Sequence, residues 1–333
     1  MIGGPMYALE RGLKQKWLGI LFALFAGFAC FGIGNGTQGN SITGMVNDTF
    51  GVSPYITGAI LTILTGVVII GGVKSIAKVC EKLVPFMAGF YIIGCIIILI
   101  LNHAYVLDAL KLIVSSAFTP KAAGGGFIGS TVMMAIRFGI ARGLFTNEAG
   151  LGSAPIVDAA ASTRNPVRQG LIAMTGVFWD TVIVCALTGL VLVSSILRNP
   201  DGMSGLSGGA LSSAAFANIP VVGPIVLTVG LICFAWSTIL GWSYYGERCW
   251  VYLCGQKAIM PFRIIYTLVV FVGSVMTLDA VWGIADILNA SMAFPNLVAL
   301  LGLSGVIASE TKKYLFDDNM DGWSDDEIPV VDK

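Results

Sequence analysis

Apolar residues in this chain run in blocks too long for the core of a water-soluble fold. Eight stretches stay apolar over about 20 residues, the length a helix needs to cross the hydrocarbon of a bilayer. They cover about residues 17–47, 54–73, 83–103, 126–161, 169–197, 220–250, 259–277 and 280–309. The first, fourth, sixth and eighth exceed one crossing, and each contains an interruption. Segments 105–118 and 210–219 read as short helices outside the membrane core. Residues 119–126 (Thr-Pro-Lys-Ala-Ala-Gly-Gly-Gly) and 198–209 read as loops from their Gly, Pro and Asn content. The pattern predicts an all-α polytopic membrane protein with eight transmembrane spans. The transmembrane domain covers residues 1–313, and 314–333 form an acidic tail whose composition favours disorder.

Composition sharpens this. Of 333 residues, 56% are hydrophobic and 11% charged, against roughly 25% charged in soluble domains. A soluble fold of this composition would expose large apolar patches and aggregate. The 19 basic and 19 acidic residues cancel, so no basic field invites nucleic acid. The seven cysteines are scattered with no C-x-x-C pair, and Cys30, Cys95, Cys185 and Cys233 sit in apolar runs as small hydrophobes. The single histidine, His103, ends an apolar run. These patterns predict no disulfide framework, metal site or organic cofactor. The chain also lacks a P-loop, a zinc-binding helix and a nucleophile elbow, so no enzyme chemistry is expected.

Positive charges orient the spans. If the N-terminus is cytoplasmic and the chain crosses eight times, thirteen Lys and Arg residues collect on the inside, among them Lys74, Lys78, Lys82, Arg164, Arg168, Lys312 and Lys313. Three, Lys111, Lys121 and Arg198, lie outside. An error of one span in the middle would scramble that asymmetry. Both termini are therefore expected in the cytoplasm, with the chain embedded in the plasma membrane. No signal peptide opens the sequence; its first 16 residues read like a loop between two membrane helices.

Polar groups within spans are costly and mark candidate sites. Three clusters stand out. In the first, Phe31–Ser41, Asn35 and Gln38 are three residues apart and share a helical face, flanked by glycines that permit close backbone approach. This reads equally as a ligand face or a glycine-packed helix interface. In the second, Arg142–Pro155, the glycines at 150 and 152, Pro155 and a run of polar side chains predict a break in the helix. Half-helix ends expose N–H groups on one side and carbonyls on the other, suited to a carboxylate and a cation. Glu148 and Arg142 pair with each other or with Arg137 and hold the break open, or serve a ligand. In the third, Thr238, Trp242 and Tyr245 share one face, and Ser237 and Thr238 offer adjacent hydroxyls. Those hydroxyls suit sodium, or they bond back to their own helix. Asp180, beside Trp179 in the fifth span, is a further ion or proton candidate. Asp279, Asp286 and Asn289 line the start of the last span.

Gly3-Gly4-Pro5-Met6-Tyr7, Phe31-Gly32-Ile33-Gly34-Asn35, Gly143-Leu144-Phe145-Thr146-Asn147-Glu148-Ala149-Gly150-Leu151-Gly152-Ser153-Ala154-Pro155 and Ser237-Thr238-Ile239-Leu240-Gly241-Trp242-Ser243-Tyr244-Tyr245-Gly246-Glu247-Arg248 resemble, in order, the signature blocks of the alanine/glycine:cation symporter family. The resemblance covers about residues 3–310. It implies a LeuT-type inverted-repeat fold, two five-helix repeats whose first helices are broken, with the eight spans as core helices three to ten. It also implies that core helices 1 and 2 are lacking, so that the chain is an N-terminally truncated symporter. The implied function is sodium-coupled symport of alanine or glycine, with a proton-coupled transporter or a non-transporting remnant as alternatives. Carried over block by block, Gln38, Phe145, Thr146, Asn147, Thr238 and Trp242 are implied to border the substrate. Ser237 and Thr238 resemble a sodium site, and Glu148 and Asp180 are candidates for ion or proton coupling. Gly36-Thr37-Gln38-Gly39 is slighter than the Met-Val-Gln-Ala expected at that position.

Overall fold

The computed structural model describes residues 3–118, 139, 142–143, 145–206, 208–317 and 319–322. Every regular element among them is helical. A short turn, α1 (Pro5–Tyr7), leads to α2 (Lys16–Phe31), which continues through a π-helical segment at Gly32–Gly36 into α3 (Thr37–Phe50). Helices α4 (Pro54–Ile70), α5 (Gly72–Leu101) and α6 (His103–Phe118) follow. The short α7 (Ala154–Asp158) precedes α8 (Pro166–Val177), which is joined by a further π-helical segment, Phe178–Cys185, to α9 (Ala186–Arg198). Then come α10 (Pro200–Met203), α11 (Gly208–Phe216), α12 (Val222–Cys254), α13 (Ile259–Val275), α14 (Leu278–Gly302) and α15 (Ser304–Thr311).

Six described helices are long and apolar enough to span a membrane, and α4 adds a shorter apolar helix. The side chains that face outward explain why lipid is needed. On α4, Ile63 is 66% and Val67 70% exposed, while Leu61 on the opposite face is 5% exposed. The same apolar exterior continues on α5 at Ile93 and Ile100 and on α13 at Ile264 and Leu268. In water that surface would drive association; in a bilayer it faces a matched solvent. The chain is a polytopic helical membrane protein.

Of the four interruptions read from the sequence, the structure treats each differently. The Phe31–Ser41 block is not a break: the helix passes through it with wider π turns, so residues 16–50 form one apolar rod. The sixth stretch also stays whole, as the 33-residue α12. The eighth divides at Leu303, between α14 and α15. The fourth does break, at Glu148–Ser153. Residues 119–138, including the stretch read as a loop and Arg137, lie outside the described residues, as does the side chain of Asp279.

Two antiparallel helix pairs place the site. The rod α2–α3 runs against α12: Gly19 meets Tyr252, Gly27 meets Trp250, Gly34 meets Trp242, and Thr49 Oγ1 hydrogen-bonds Thr228 Oγ1 at 2.9 Å. Small residues on the rod let bulky rings of α12 lie against its backbone, which is how helices gain contact in lipid. Helix α4 runs against α13 in the same sense. Gly58 faces Ser274, Gly66 faces Thr267, and Arg263 Nη1 donates to the Ile70 carbonyl at 3.1 Å. A second cluster packs α5, α9 and α11, with Tyr91 stacked on Phe216 and bonded to Thr188 Oγ1 at 2.8 Å. At the C-terminal end, Tyr314 is buried, and Asn165 Nδ2 donates to the carbonyls of Met320 and Gly322.

Candidate functional site

The break between residue 147 and α7 is built by backbone conformation. Glu148 has φ +54, Gly150 +77 and Gly152 +87. Glycine visits that region freely, but a residue with a side chain does so at a cost. Glu148 is held there by what surrounds it. Ser153 Oγ donates to Glu148 Oε2 at 2.5 Å, and the Trp242 side chain of α12 lies beside the same carboxylate. Asn296 Nδ2 of α14 donates to the Gly150 carbonyl at 2.9 Å, which satisfies one group the break leaves without a helical partner.

Trp242 is the centre of this arrangement. Its side chain is 3% exposed, and its ring meets Tyr245 edge to face with centroids 5.3 Å apart. Its other side lies on the π-helical segment, where a Cβ on Gly34 would overlap the Cβ and ring of Trp242. That segment cannot back away easily. The single Tyr266 hydroxyl proton is shared between the Ile239 carbonyl at 2.9 Å and the Gly34 carbonyl at 3.2 Å, and Asn35 Nδ2 donates to the Tyr266 carbonyl at 2.8 Å. Thus α12, α13 and the π segment are tied at one level. The first and third clusters read from the sequence meet here through Gly34 and Trp242, and the second joins them through Glu148.

Arg142 stands apart from Glu148. Its Nη2 pairs with Asp286 Oδ2 of α14 at 2.6 Å, and its guanidinium lies over the Trp282 ring at 4.5 Å and the Phe145 ring at 5.7 Å. Phe145 and Trp282 are themselves 5.2 Å apart. The pairing of Arg142 with Glu148 that the sequence allowed is therefore not made. The positive charge is drawn to α14, where a carboxylate and an aromatic face both attract it. No ion pair to Glu148 is present among the described residues.

The remaining candidates divide. Thr181 Oγ1, next to Asp180, donates to Asn147 Oδ1 at 2.9 Å, so the fifth span touches the break, and Asp180 lies close enough to Glu148 for their charges to interact. Thr146 is exposed. Gln38 folds back: its Nε2 donates to the Ile33 carbonyl at 3.1 Å. Asn35 is tied instead to the Tyr266 carbonyl, so the two amides serve different partners. Ser237 and Thr238 both donate to the Phe234 carbonyl at 2.9 Å, the back-bonded arrangement. Among the described residues no hydrogen bond joins Gln38, Ser237 or Thr238 to the Glu148–Trp242 group.

Sequence reasoning passed over Gly34, Ser153, Trp282 and Tyr266. Gly34 and Ser153 lay inside the clusters, and a glycine facing a tryptophan was a usable signal. Tyr266 and Trp282 carried none, because an aromatic residue in an apolar run looks the same whether it packs or ties.

A model of the sodium:alanine symporter family matches residues 1–326. The chain belongs to the sodium:alanine symporter family. It is 51% identical over 318 residues to the sodium/alanine symporter AgcS of Methanococcus maripaludis, covering 94% of this chain and 69% of that protein. An uncharacterized transporter of Haemophilus influenzae is 50% identical over 332 residues, covering 98% of this chain and 72% of the relative. More distantly, the probable sodium/glutamine symporter GlnT of Bacillus subtilis is 34% identical over 314 residues, covering 94% of this chain and 64% of its own length. This member of the family is an amino-acid and cation symporter by kinship, and neither its family nor these relatives are enzymes.

Proposed function

We propose that this chain forms the site of a sodium-coupled symporter for a small neutral amino acid, alanine or glycine, in the plasma membrane. The observation that carries the reading is the broken segment at Glu148–Ser153, closed on one side by Trp242. A break at membrane depth is stable only when it is buried in protein or lines a cavity, and discontinuous helices are the sites of secondary transporters. The family match and the name of the Methanococcus relative support this substrate class and coupling ion.

In this reading the chain takes the LeuT-type arrangement, with eight spans in the places of core helices three to ten. The segment around the break stands as core helix six and α12 as core helix eight. Both termini face the cytoplasm, on the side that gathers Lys74, Lys78, Lys82, Lys312 and Lys313. Trp242 and Phe145 wall the substrate, with Thr146, Asn147, Thr238 and Gln38 as its polar neighbours. Ser237 and Thr238 offer sodium their hydroxyl oxygens, whose hydrogens already point at the Phe234 carbonyl. Sodium binds first and orders the site, substrate follows, and rocking of one repeat against the other exposes both to the inside.

The test is uptake of radiolabelled alanine into proteoliposomes under an inward sodium gradient. Uptake is expected to need sodium and to be lost in Trp242→Ala and Gln38→Ala. Uptake indifferent to sodium and to both substitutions would overturn the reading. Proton coupling is the second reading, favoured by Glu148 and Asp180, two carboxylates for which no basic partner stands among the described residues. Uptake driven by a pH gradient without sodium, and lost in Asp180→Asn, would select it.

A further inference from the structure

We infer that Glu148 anchors the ammonium group of the transported amino acid, which supplies a positive charge that no described residue brings to this carboxylate. This rests on the symporter reading above and names the chemistry of one contact within it.

The argument begins with charge. A carboxylate inside a membrane protein is tolerable when a cation, a proton or a ligand neutralises it. The nearest guanidinium in sequence, Arg142, is committed to Asp286 at 2.6 Å and to the rings of Trp282 and Phe145. Arg248 and Arg263 are committed to Glu247. Around Glu148 the described residues supply no positive charge: the Ser153 hydroxyl donates to it, the Trp242 ring lies beside it, and Asp180 adds a second carboxylate nearby. The hydroxyl orients the carboxylate and brings no cation to it.

The surroundings then select among possible cations. Sodium takes a shell of hard oxygens. Here the Glu148 carboxylate is met by a hydroxyl whose hydrogen already points at it, and the wall on the Trp242 side is aromatic. Trp242 and Tyr245 meet edge to face, an arrangement that presents ring faces as well as edges, and ring faces attract organic ammonium groups. The helical turn before the break ends at Asn147, so its last carbonyls lose the amide partners a continuing helix would provide. An ammonium group has three N–H donors: one suits the carboxylate, and the others suit such carbonyls. The substrate's own carboxylate is repelled by Glu148, so this anchor also sets the direction in which the zwitterion lies.

The inference is tested on the purified chain in lipid nanodiscs by titrating L-alanine at saturating sodium, and sodium alone, with tryptophan fluorescence as readout. L-lactate, which carries a hydroxyl in place of the ammonium, is the control ligand. The wild type is expected to bind alanine and at least tenfold less lactate. Glu148→Gln, which keeps the shape and removes the charge, is expected to weaken alanine at least tenfold and to leave the sodium titration within twofold. Glu148→Asp, which withdraws the charge by one methylene, is expected to fall between them, and it replaces the glutamine variant if that one does not fold. Alanine binding unchanged in Glu148→Gln overturns the inference. So does a loss that appears in the sodium titration and not in the alanine titration at saturating sodium, since it would make Glu148 a sodium ligand. A wild type that binds no neutral amino acid overturns the symporter reading itself, an outcome distinct from both.

Discussion

Two glutamates, Glu247 on α12 and Glu148 beside it, solve the problem of a charge in the membrane in opposite ways. The Glu247 side chain is 7% exposed and has guanidinium groups on both oxygens, Arg248 Nη2 at 2.5 Å and Arg263 Nε at 2.6 Å. Arg263 reaches on to the Ile70 carbonyl, so one cluster ties α12, α13 and the end of α4. Glu148 meets a hydroxyl and an indole and, among the described residues, no cation. A charge matched by the protein's own charges holds helices together. A charge matched only by dipoles leaves room for something mobile. The difference lies in where the arginines are committed, since Arg142 is close to Glu148 in sequence and pairs elsewhere.

The sharpest way to break this comparison is to neutralise each glutamate in turn. Glu247→Gln leaves two half-buried guanidinium groups without their buried carboxylate and is expected to destabilise the fold by at most about 3–5 kcal/mol, the range for a fully buried pair deprived of one partner. Thermal unfolding in detergent measures it. Glu148→Gln is expected to leave the unfolding temperature nearly unchanged, since the amide oxygen still accepts from Ser153. If the two variants melt alike, the assignment of one glutamate to structure and the other to ligand fails.

The next effect in size comes from Gly34→Ala. The new methyl would overlap Trp242, and the π segment is pinned to α13 by Tyr266 and Asn35, so α12 has to yield. Overpacking of this kind costs about 1–3 kcal/mol. It also displaces Trp242 from its place beside Glu148, so alanine binding is expected to fall together with stability. A variant that melts earlier yet binds alanine normally would show that Trp242 is packing and not a wall of the site.

These residues also show what the sequence could and could not reveal. The apolar stretches announced the helices, since a span needs little beyond length and hydrophobicity. The break at Glu148–Ser153 was legible because glycines at 150 and 152 are poor helix residues at once intrinsically and in pair. The π segment was not: Phe31–Ser41 has the same glycine-rich look as the true break, and only bonds from Tyr266 and Asn35, more than 200 residues apart in sequence, decide that the helix continues. The partner of Arg142 was equally hidden. Sequence distance points to Glu148, and Asp286 reads only as lining the start of the last span. Three-dimensional placement of Trp282 under the guanidinium favours Asp286.

Smaller changes probe how Glu148 is held. Ser153→Ala removes the donor at 2.5 Å and spares the charge. A hydrogen bond to a charged group contributes about 1.5–3 kcal/mol at most, and here Trp242 remains, so alanine binding is expected to weaken by about fivefold, equivalent to about 1 kcal/mol. Lactate binding is expected to stay as it was. Equal losses for both ligands would place Ser153 in the fold of the break and not in the orientation of the carboxylate.

The smallest effect on stability belongs to Asp286→Asn, and it bears most directly on why the two glutamates differ. The Arg142 and Asp286 side chains are 38% and 47% exposed, and partly exposed pairs contribute about 0–1 kcal/mol, so the unfolding temperature should hardly move. What changes is the commitment of Arg142. Released from α14, its guanidinium is free to turn toward the unmatched carboxylate six residues along the chain, and an internal cation there competes with an incoming ammonium group. Alanine binding is therefore expected to weaken in Asp286→Asn by more than its stability suggests, and to recover in the double variant Asp286→Asn, Arg142→Gln. A double variant as weak as the single one would mean that Asp286 acts on the site by its own charge, and the division of labour between the two glutamates would then owe nothing to Arg142.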